Sequence, residues 1–211
     1  MKKTEKRMEA QTIVFGRMVK KYELPMHEIN HLNETYEKAK KELKSFNDRL
    51  AGRLDSELEV TELFQSTLAY PTIINCMMDY ISTLETVGLY IGNKDLEILS
   101  CWINDMVEGE YNPPHTHHNN TGYSTVLFLK IPEYLDDTPE TARHKFKDGK
   151  LGFVSHDGIH TIWTEPKVGD FFIFEAQHQH CVMPFKTKIK KEIRRSMSFN
   201  FLQKSQVQSV K

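Results

Sequence analysis

The chain has 211 residues, 39% of them hydrophobic and 27% charged, with 28 basic against 29 acidic side chains. That length suits one domain, or one domain with a helical extension, and buries enough surface to fold without disulfides or a structural metal. A net charge of −1 excludes a globally basic nucleic-acid binder, and no run approaches the roughly 18 apolar residues of a membrane helix.

The three cysteines, Cys76, Cys101 and Cys181, show no CxxC spacing, which points to a reducing intracellular compartment. The opening MKKTEKRMEAQ has no apolar run behind its charges and does not read as a secretory signal. After a short apolar stretch at 12–15, Pro25 opens a periodic segment. Met26, Ile29, Leu32, Tyr36, Ala39, Leu43, Phe46 and Leu50 recur every three or four residues, as one buried helix face requires. Pro71 begins a second helical candidate with Ile74, Met77, Met78, Ile81, Leu84 and Val87 as its apolar positions, punctuated by Gly88 and Gly92.

From Leu96 the texture changes to strand. Runs near 96–106, 123–131, 151–156, 159–164, 170–176, 180–185 and 194–202 are rich in β-branched and aromatic residues, with turn signals at Asn112-Pro113-Pro114, Asp157-Gly158 and Gly169-Asp170. Asp157-Gly158 reads as a two-residue hairpin turn. The polar stretch 133–150 is too long for a tight hairpin. The pattern predicts a mainly β fold with N-terminal helices: a β-sandwich or open barrel, helices packed outside. Its expected division is 1–95 helical, 96–203 β core and 204–211 polar tail.

His27-Glu28-Ile29-Asn30-His31 matches the H-E-x-x-H pattern of zinc proteases. At about 100° per residue, both histidines fall away from the apolar stripe, so the segment reads as a solvated helix face. The histidines of the strand region are more informative. In a strand, residues i and i+2 point the same way, so His115 and His117 present two imidazoles to one point. His180 lies on a later strand that a barrel could bring alongside. H-x-[D/E/H] with a distant His is the spacing of a facial metal triad. In 194–201, alternation sets Arg194, Ser196, Ser198 and Asn200 on one face and Met197, Phe199 and Phe201 on the other. Arg194 with Ser196 shapes a carboxylate clamp; the competing reading ends the basic run of Lys186, Lys188, Lys190 and Lys191 there.

These segments together resemble the Fe(II)/2-oxoglutarate-dependent oxygenases on the double-stranded β-helix (jelly-roll) fold. The residues that carry the resemblance run 110–117, 169–184 and 194–200, within about 98–202. The pattern is most similar to the small bacterial and phage oxygenases with H-x-H, H-x-V-x-P and R-x-S-x-x-F-N motifs. It is also similar to the aspartyl/asparaginyl β-hydroxylases and to prolyl hydroxylase domains. The β-hydroxylase likeness rests on Pro114-His115-Thr116, Ile131-Pro132, Gly169, Phe174, His180 and Val182, and favours His180 over His178 as the distal ligand.

The resemblance implies a dioxygenase that hydroxylates an unactivated C–H bond, with Fe(II), 2-oxoglutarate and O2 as cofactors and ascorbate as a candidate stimulant. Succinate and CO2 are the coproducts. His115, His117 and His180 are the implied metal ligands, Arg194 and Ser196 the implied 2-oxoglutarate clamp, and Trp102, Asn104 and Tyr123 candidate pocket residues. His117 stands where the majority pattern has Asp or Glu. Three readings stay open: a three-His site; His115 and His180 with water in the third place; or His117 with Asn119, His115 standing behind. The implied substrate is a peptide, protein or small molecule, with no nucleic acid and no membrane, in the cytoplasm (a host's, for a phage-encoded chain); a homo-oligomer is a candidate assembly. Alternatives from other classes are a three-His zinc hydrolase or lyase, and a non-catalytic jelly-roll or virion-associated module.

Overall fold

Period-two alternation gives each strand two different faces, and the fold follows from what covers each face. The computed structural model describes residues 16–46, 52–89, 92, 94–117, 122–135 and 148–204. In chain order its elements are β1 (Val19–Glu23), α1 (Met26–Ala39), β2 (Glu57–Glu59), α2 (Thr61–Gln65), α3 (Ala69–Thr86), β3 (Leu96–Met106), β4 (Asn112–His115), β5 (Tyr123–Lys130), β6 (Leu151–Val154), β7 (Thr161–Thr164), β8 (Asp170–Glu175), β9 (His180–Val182) and β10 (Arg194–Gln203). They form a six-stranded sheet ordered β1-β8-β5-β10-β3-β2 and a four-stranded sheet ordered β4-β9-β6-β7. All the strand pairs are antiparallel. This is the mainly β, double-stranded β-helix architecture expected, with the helices against one face of the larger sheet.

On that outer face Cys101, Ile103, Leu127, Leu129, Phe171, Ile173, Met197, Phe199 and Phe201 pack against Ile29, Leu32 and Tyr36 of α1 and Ile73, Met77, Tyr80, Ile81 and Leu84 of α3. Residues of the opposite parity on the same strands, Met106, Val126, Phe128, Phe172 and Phe174, point the other way and meet Leu151, Phe153 and Val182 of the smaller sheet. The second core, between the sheets, is where the polar face of β10 also points.

The N-terminal third is less helical than its periodicity suggests. Strands β1 and β2 occupy the two edges of the larger sheet. Helix α1 ends at Ala39; Met26 is half exposed, and Phe46 stacks on Trp102 at 5.2 Å instead of extending the helix. The expected apolar positions at 12–15 and at Leu50 lie outside the described residues. Helix α3 starts two residues before Pro71, which is harmless because the first-turn amides have no intrahelical partner. Asp157-Gly158 does close a hairpin, but the paired residues nearest the turn are Val154 and Thr161, so its loop is longer than two residues. The Asp157 carboxylate accepts the Ser155 hydroxyl and the Ile159 amide within it. The H-E-x-x-H segment holds helices together: the Leu68 amide donates to His31 Nδ1 (3.3 Å) and the Thr72 hydroxyl to Glu28 (2.7 Å), while His27 is exposed. Glu28 is itself buried, so the segment is not the wholly solvated face expected. Among the described residues, no helix is long and apolar enough to cross a membrane.

A charged pair, Arg195 and Asp105, is buried on the otherwise largely apolar outer face. Arg195 is fully buried, its guanidinium 4.5 Å from the Tyr36 ring centre. It donates to both Asp105 oxygens, to Asn33 Oδ1 (3.1 Å) and to Glu37 (2.8 Å), so the network ties β10 and β3 to α1; Lys40 also pairs with Asp105. Burial alone would raise the Asp105 carboxyl, but the hydrogen bonds and charges of Arg195 and Lys40 outweigh it and hold it below its ordinary value.

Asp105→Ala is expected to cost about 3–5 kcal/mol in denaturant unfolding, because it strands a buried guanidinium; Glu37→Ala, half exposed, should cost under about 1 kcal/mol. The Asp105 contribution is fully present above the unfolded-chain carboxyl value of about 4. It is lost as pH falls through the lower folded value, so acid titration should erase the difference between the parent and Asp105→Ala.

Candidate metal and carboxylate site

The smaller sheet brings the histidines together. His115 on β4 lies directly opposite His180 on β9. The chain then passes Thr116 to His117, whose amide is fixed by a hydrogen bond to the Ala176 carbonyl (2.9 Å). One nitrogen from each of His115, His117 and His180 lies within 4.8 Å of the others. The Nε2 atoms of His117 and His180 are 3.1 Å apart, close enough for one ion with bonds of about 2.1 Å to reach both.

Backbone carbonyls set the orientation of two rings. Nδ1 of His115 lies 2.7 Å from the Pro113 carbonyl oxygen, and Nδ1 of His180 lies 2.9 Å from that of His178. An Nδ1–H donating to a carbonyl leaves Nε2 as a lone pair, the form a metal needs. Burial lowers the pKa of His115. Burial, followed by the neighbouring His115 and His117, drives that of His180 well below its ordinary value. Both effects favour neutral imidazoles. His178 is directed elsewhere: its Nε2 lies 3.1 Å from the Val154 carbonyl oxygen and its ring packs on Phe153.

The three imidazoles share one small cavity with Arg194, Ser196 and Ser198 of β10, Trp102 and Asn104 of β3, Glu57 of β2, and the apolar walls Val126, Leu151 and Val182. Arg194 is 1% exposed, and its guanidinium lies 4.8 Å from the centre of the Phe128 ring. Its Nε donates to the Gly149 carbonyl (3.1 Å) and Nη1 contacts the Met106 sulfur (3.3 Å), but Nη2 has no hydrogen-bond partner among the described residues. Among the described residues no carboxylate pairs with it. Burial lowers its pKa, opposed by the Tyr134 hydroxyl. Gly149 permits this arrangement: its φ is +63°, and a Cβ there would collide with the Tyr134 hydroxyl. A buried cation with a spare N–H edge and no anion is suited to a ligand carboxylate. Three neutral imidazoles facing one point suit a divalent transition metal.

The structure therefore gathers His115, His117, His180, Arg194, Ser196, Asn104 and Trp102 around one cavity. Tyr123 is a correction. It belongs to the odd-numbered face of β5, stacks on Phe201 at 5.1 Å and meets Tyr80 edge-on, on the helix side of the sheet. Asn119 lies outside the described residues. Sequence reasoning missed Glu57, which sits on a three-residue strand between two other acids, Asp55 and Glu59.

Residues 100–200 match the sequence model of the family described as "Putative 2OG-Fe(II) oxygenase". No curated protein matches the chain. Among solved structures it is similar to a prolyl-4-hydroxylase from Pseudomonas putida, at 18% identity over 90% of this chain and 93% of that one, with a TM-score of 0.58. It is also similar to a prolyl hydroxylase from Trichoplax adhaerens solved with a hypoxia-inducible-factor peptide fragment (10% identity, 93% and 87% covered, TM-score 0.60). A third is the viral collagen prolyl hydroxylase of Paramecium bursaria Chlorella virus-1 in complex with 2-oxoglutarate (13% identity, 87% and 94% covered, TM-score 0.53). At such identities these likenesses concern the fold. With that fold, the chain carries the sequence signature of the Fe(II)/2-oxoglutarate-dependent oxygenases over its strand core, residues 100–200. It is a dioxygenase whose cofactors are Fe(II), 2-oxoglutarate and O2.

Because Arg194 is a buried charge that meets no anion among the described residues, its replacement should not harm folding. Arg194→Met is expected to keep or raise the unfolding midpoint in scanning calorimetry. A drop of several degrees would show that the guanidinium is a structural group.

Proposed function

We propose that the chain hydroxylates an unactivated C–H bond of a peptidyl residue and converts 2-oxoglutarate to succinate and CO2. In this reading His115, His117 and His180 hold Fe(II), while Arg194, helped by Ser196, holds the C5 carboxylate of 2-oxoglutarate. The observation that carries it is the pairing in one cavity of three converging imidazoles and a buried guanidinium with a spare N–H edge. Fe(II) with 2-oxoglutarate supplies the oxidising power for O2 chemistry at carbon.

The residues of this chain bind, orient and exclude water. The Pro113 and His178 carbonyls fix the tautomers of His115 and His180. Arg194 offers a charge-assisted donor edge, and Phe128, beside its guanidinium, keeps the charge away from water. Val126, Leu151 and Val182 make the cavity wall apolar. The β core from 96 to 203 is the proposed catalytic unit, with α1, α3 and the edge strands β1 and β2 bracing it. A peptidyl substrate is supported by the neighbour solved with a peptide. A three-His zinc hydrolase has no use for a carboxylate clamp, so Arg194 favours the oxygenase.

The test is succinate formation from 2-oxoglutarate with Fe(II) in air, run alone and with prolyl- and asparaginyl-containing peptides. The parent should turn over, faster with an accepted peptide. Arg194→Ala should raise the KM for 2-oxoglutarate by about 10–100-fold, since each lost charge-assisted bond is worth about 1.5–3 kcal/mol. His180→Ala should abolish turnover. Absence of succinate from folded, iron-loaded parent under all these conditions would overturn the reading.

A further inference from the structure

Glu57 stands out as a buried acid in the same cavity as the three imidazoles. Its placement follows from register. On β2 it lies opposite Asn104 of β3, and Asn104 lies opposite Ser196 of β10, so the three occupy one row of the inner face. Glu57 is 2% exposed. It does not belong to the cluster of close-set ligand atoms, which holds the three histidines alone among the described residues. It also precedes the 100–200 segment that carries the family signature.

The charges in the cavity give this acid a task, on the reading that the site binds a divalent metal and 2-oxoglutarate. The metal brings two positive charges and three imidazoles bring none. The two carboxylates of 2-oxoglutarate cancel the metal, and the Arg194 guanidinium leaves one positive charge over. Where a carboxylate ligand stands in the triad, that ligand cancels the excess. Here His117 occupies its place, and a net charge in a cavity walled by Val126, Leu151 and Val182 is costly.

We propose that Glu57 is the charge-compensating residue of the metal site: a positioning residue that supplies, from the neighbouring edge strand, the negative charge which the three-imidazole triad lacks. Its protonation behaviour agrees. Burial, with Glu110 adding to it, pushes the Glu57 carboxyl up to about 7, so a nearby divalent cation would readily hold it ionised. The other charged group lining the cavity is Arg194, whose free edge is the carboxylate subsite.

The test is Mn(II) binding, by calorimetry, to the full-length metal-free parent, Glu57→Gln and Glu57→Asp, with unfolding midpoints measured with and without metal. Loss of an outer partner of a metal site typically costs 10–100-fold in affinity. Glu57→Gln should therefore bind Mn(II) 10–100-fold more weakly while its metal-free midpoint stays equal to or above the parent's, and Glu57→Asp should fall between them. A merely structural role would instead lower the metal-free midpoint, which overturns the proposal. So would Mn(II) affinity in Glu57→Gln within about threefold of the parent. If the parent itself binds no Mn(II), the metal reading falls and this inference with it; parent binding with an unaffected variant removes the role of Glu57 alone.

Discussion

The register of β10 is the constraint on which both halves of the molecule depend. Side chains alternate along it, so Arg194, Ser196 and Ser198 line the cavity while Met197, Phe199 and Phe201 close the helix-facing core. A slip of one residue would put the guanidinium of Arg194 among the helices and bury phenylalanines in the site. Arg195 guards against that slip. Its fork meets Asp105 on the strand partner and Glu37 and Asn33 on α1, and this set of partners exists in one register only. Two consecutive arginines thus have opposite roles. One is saturated by carboxylates and holds the fold; the other meets no carboxylate among the described residues and is available to a ligand.

The same economy shows in the smaller sheet. Strand β9 is three residues long and β4 four, yet they set His115 opposite His180 and aim both rings with backbone carbonyls. Such short pieces are held by the packed core behind them: Phe153, Phe172 and Phe174 lie against the imidazoles or each other. The site is therefore built on a rigid sandwich, with precision drawn from aromatic packing rather than from the length of the strands that carry the ligands.

Much of this was legible in the sequence, for physical reasons. Long half-buried strands such as 96–106 and 194–203 alternate clearly, and a polar face on a strand that is otherwise Phe- and Met-rich announces a cavity. The H-x-H spacing and the Arg-x-Ser pair were readable because two residues along a strand share a direction. Illegible elements were those whose signal is tertiary. Strand β4 is Asn-Pro-Pro-His, a sequence that reads as a turn; only Asn112 and His115 pair with β9, across an irregularity that accommodates the prolines. Strand β2 is too short to show a period. Phe46 continues a helical rhythm but is spent on Trp102. Tyr123 looked like a pocket residue because it follows the histidine motif, and one step of parity sends it to the other face. Glu57 is a single acid among Asp55, Glu57 and Glu59, and only the edge pairing of β2 on β3 shows that it turns inward.

The central claim is that one cavity holds a metal on three imidazoles and a 2-oxoglutarate carboxylate on Arg194. It is tested most directly by anaerobic titration of the metal-free chain with Fe(II) and then 2-oxoglutarate, following the visible metal-to-ligand charge-transfer band of the chelate. The account predicts a saturable band in the parent, one that needs far more 2-oxoglutarate in Arg194→Ala and is absent in His180→Ala. No band at saturating Fe(II) and 2-oxoglutarate, in protein shown to be folded, would contradict it.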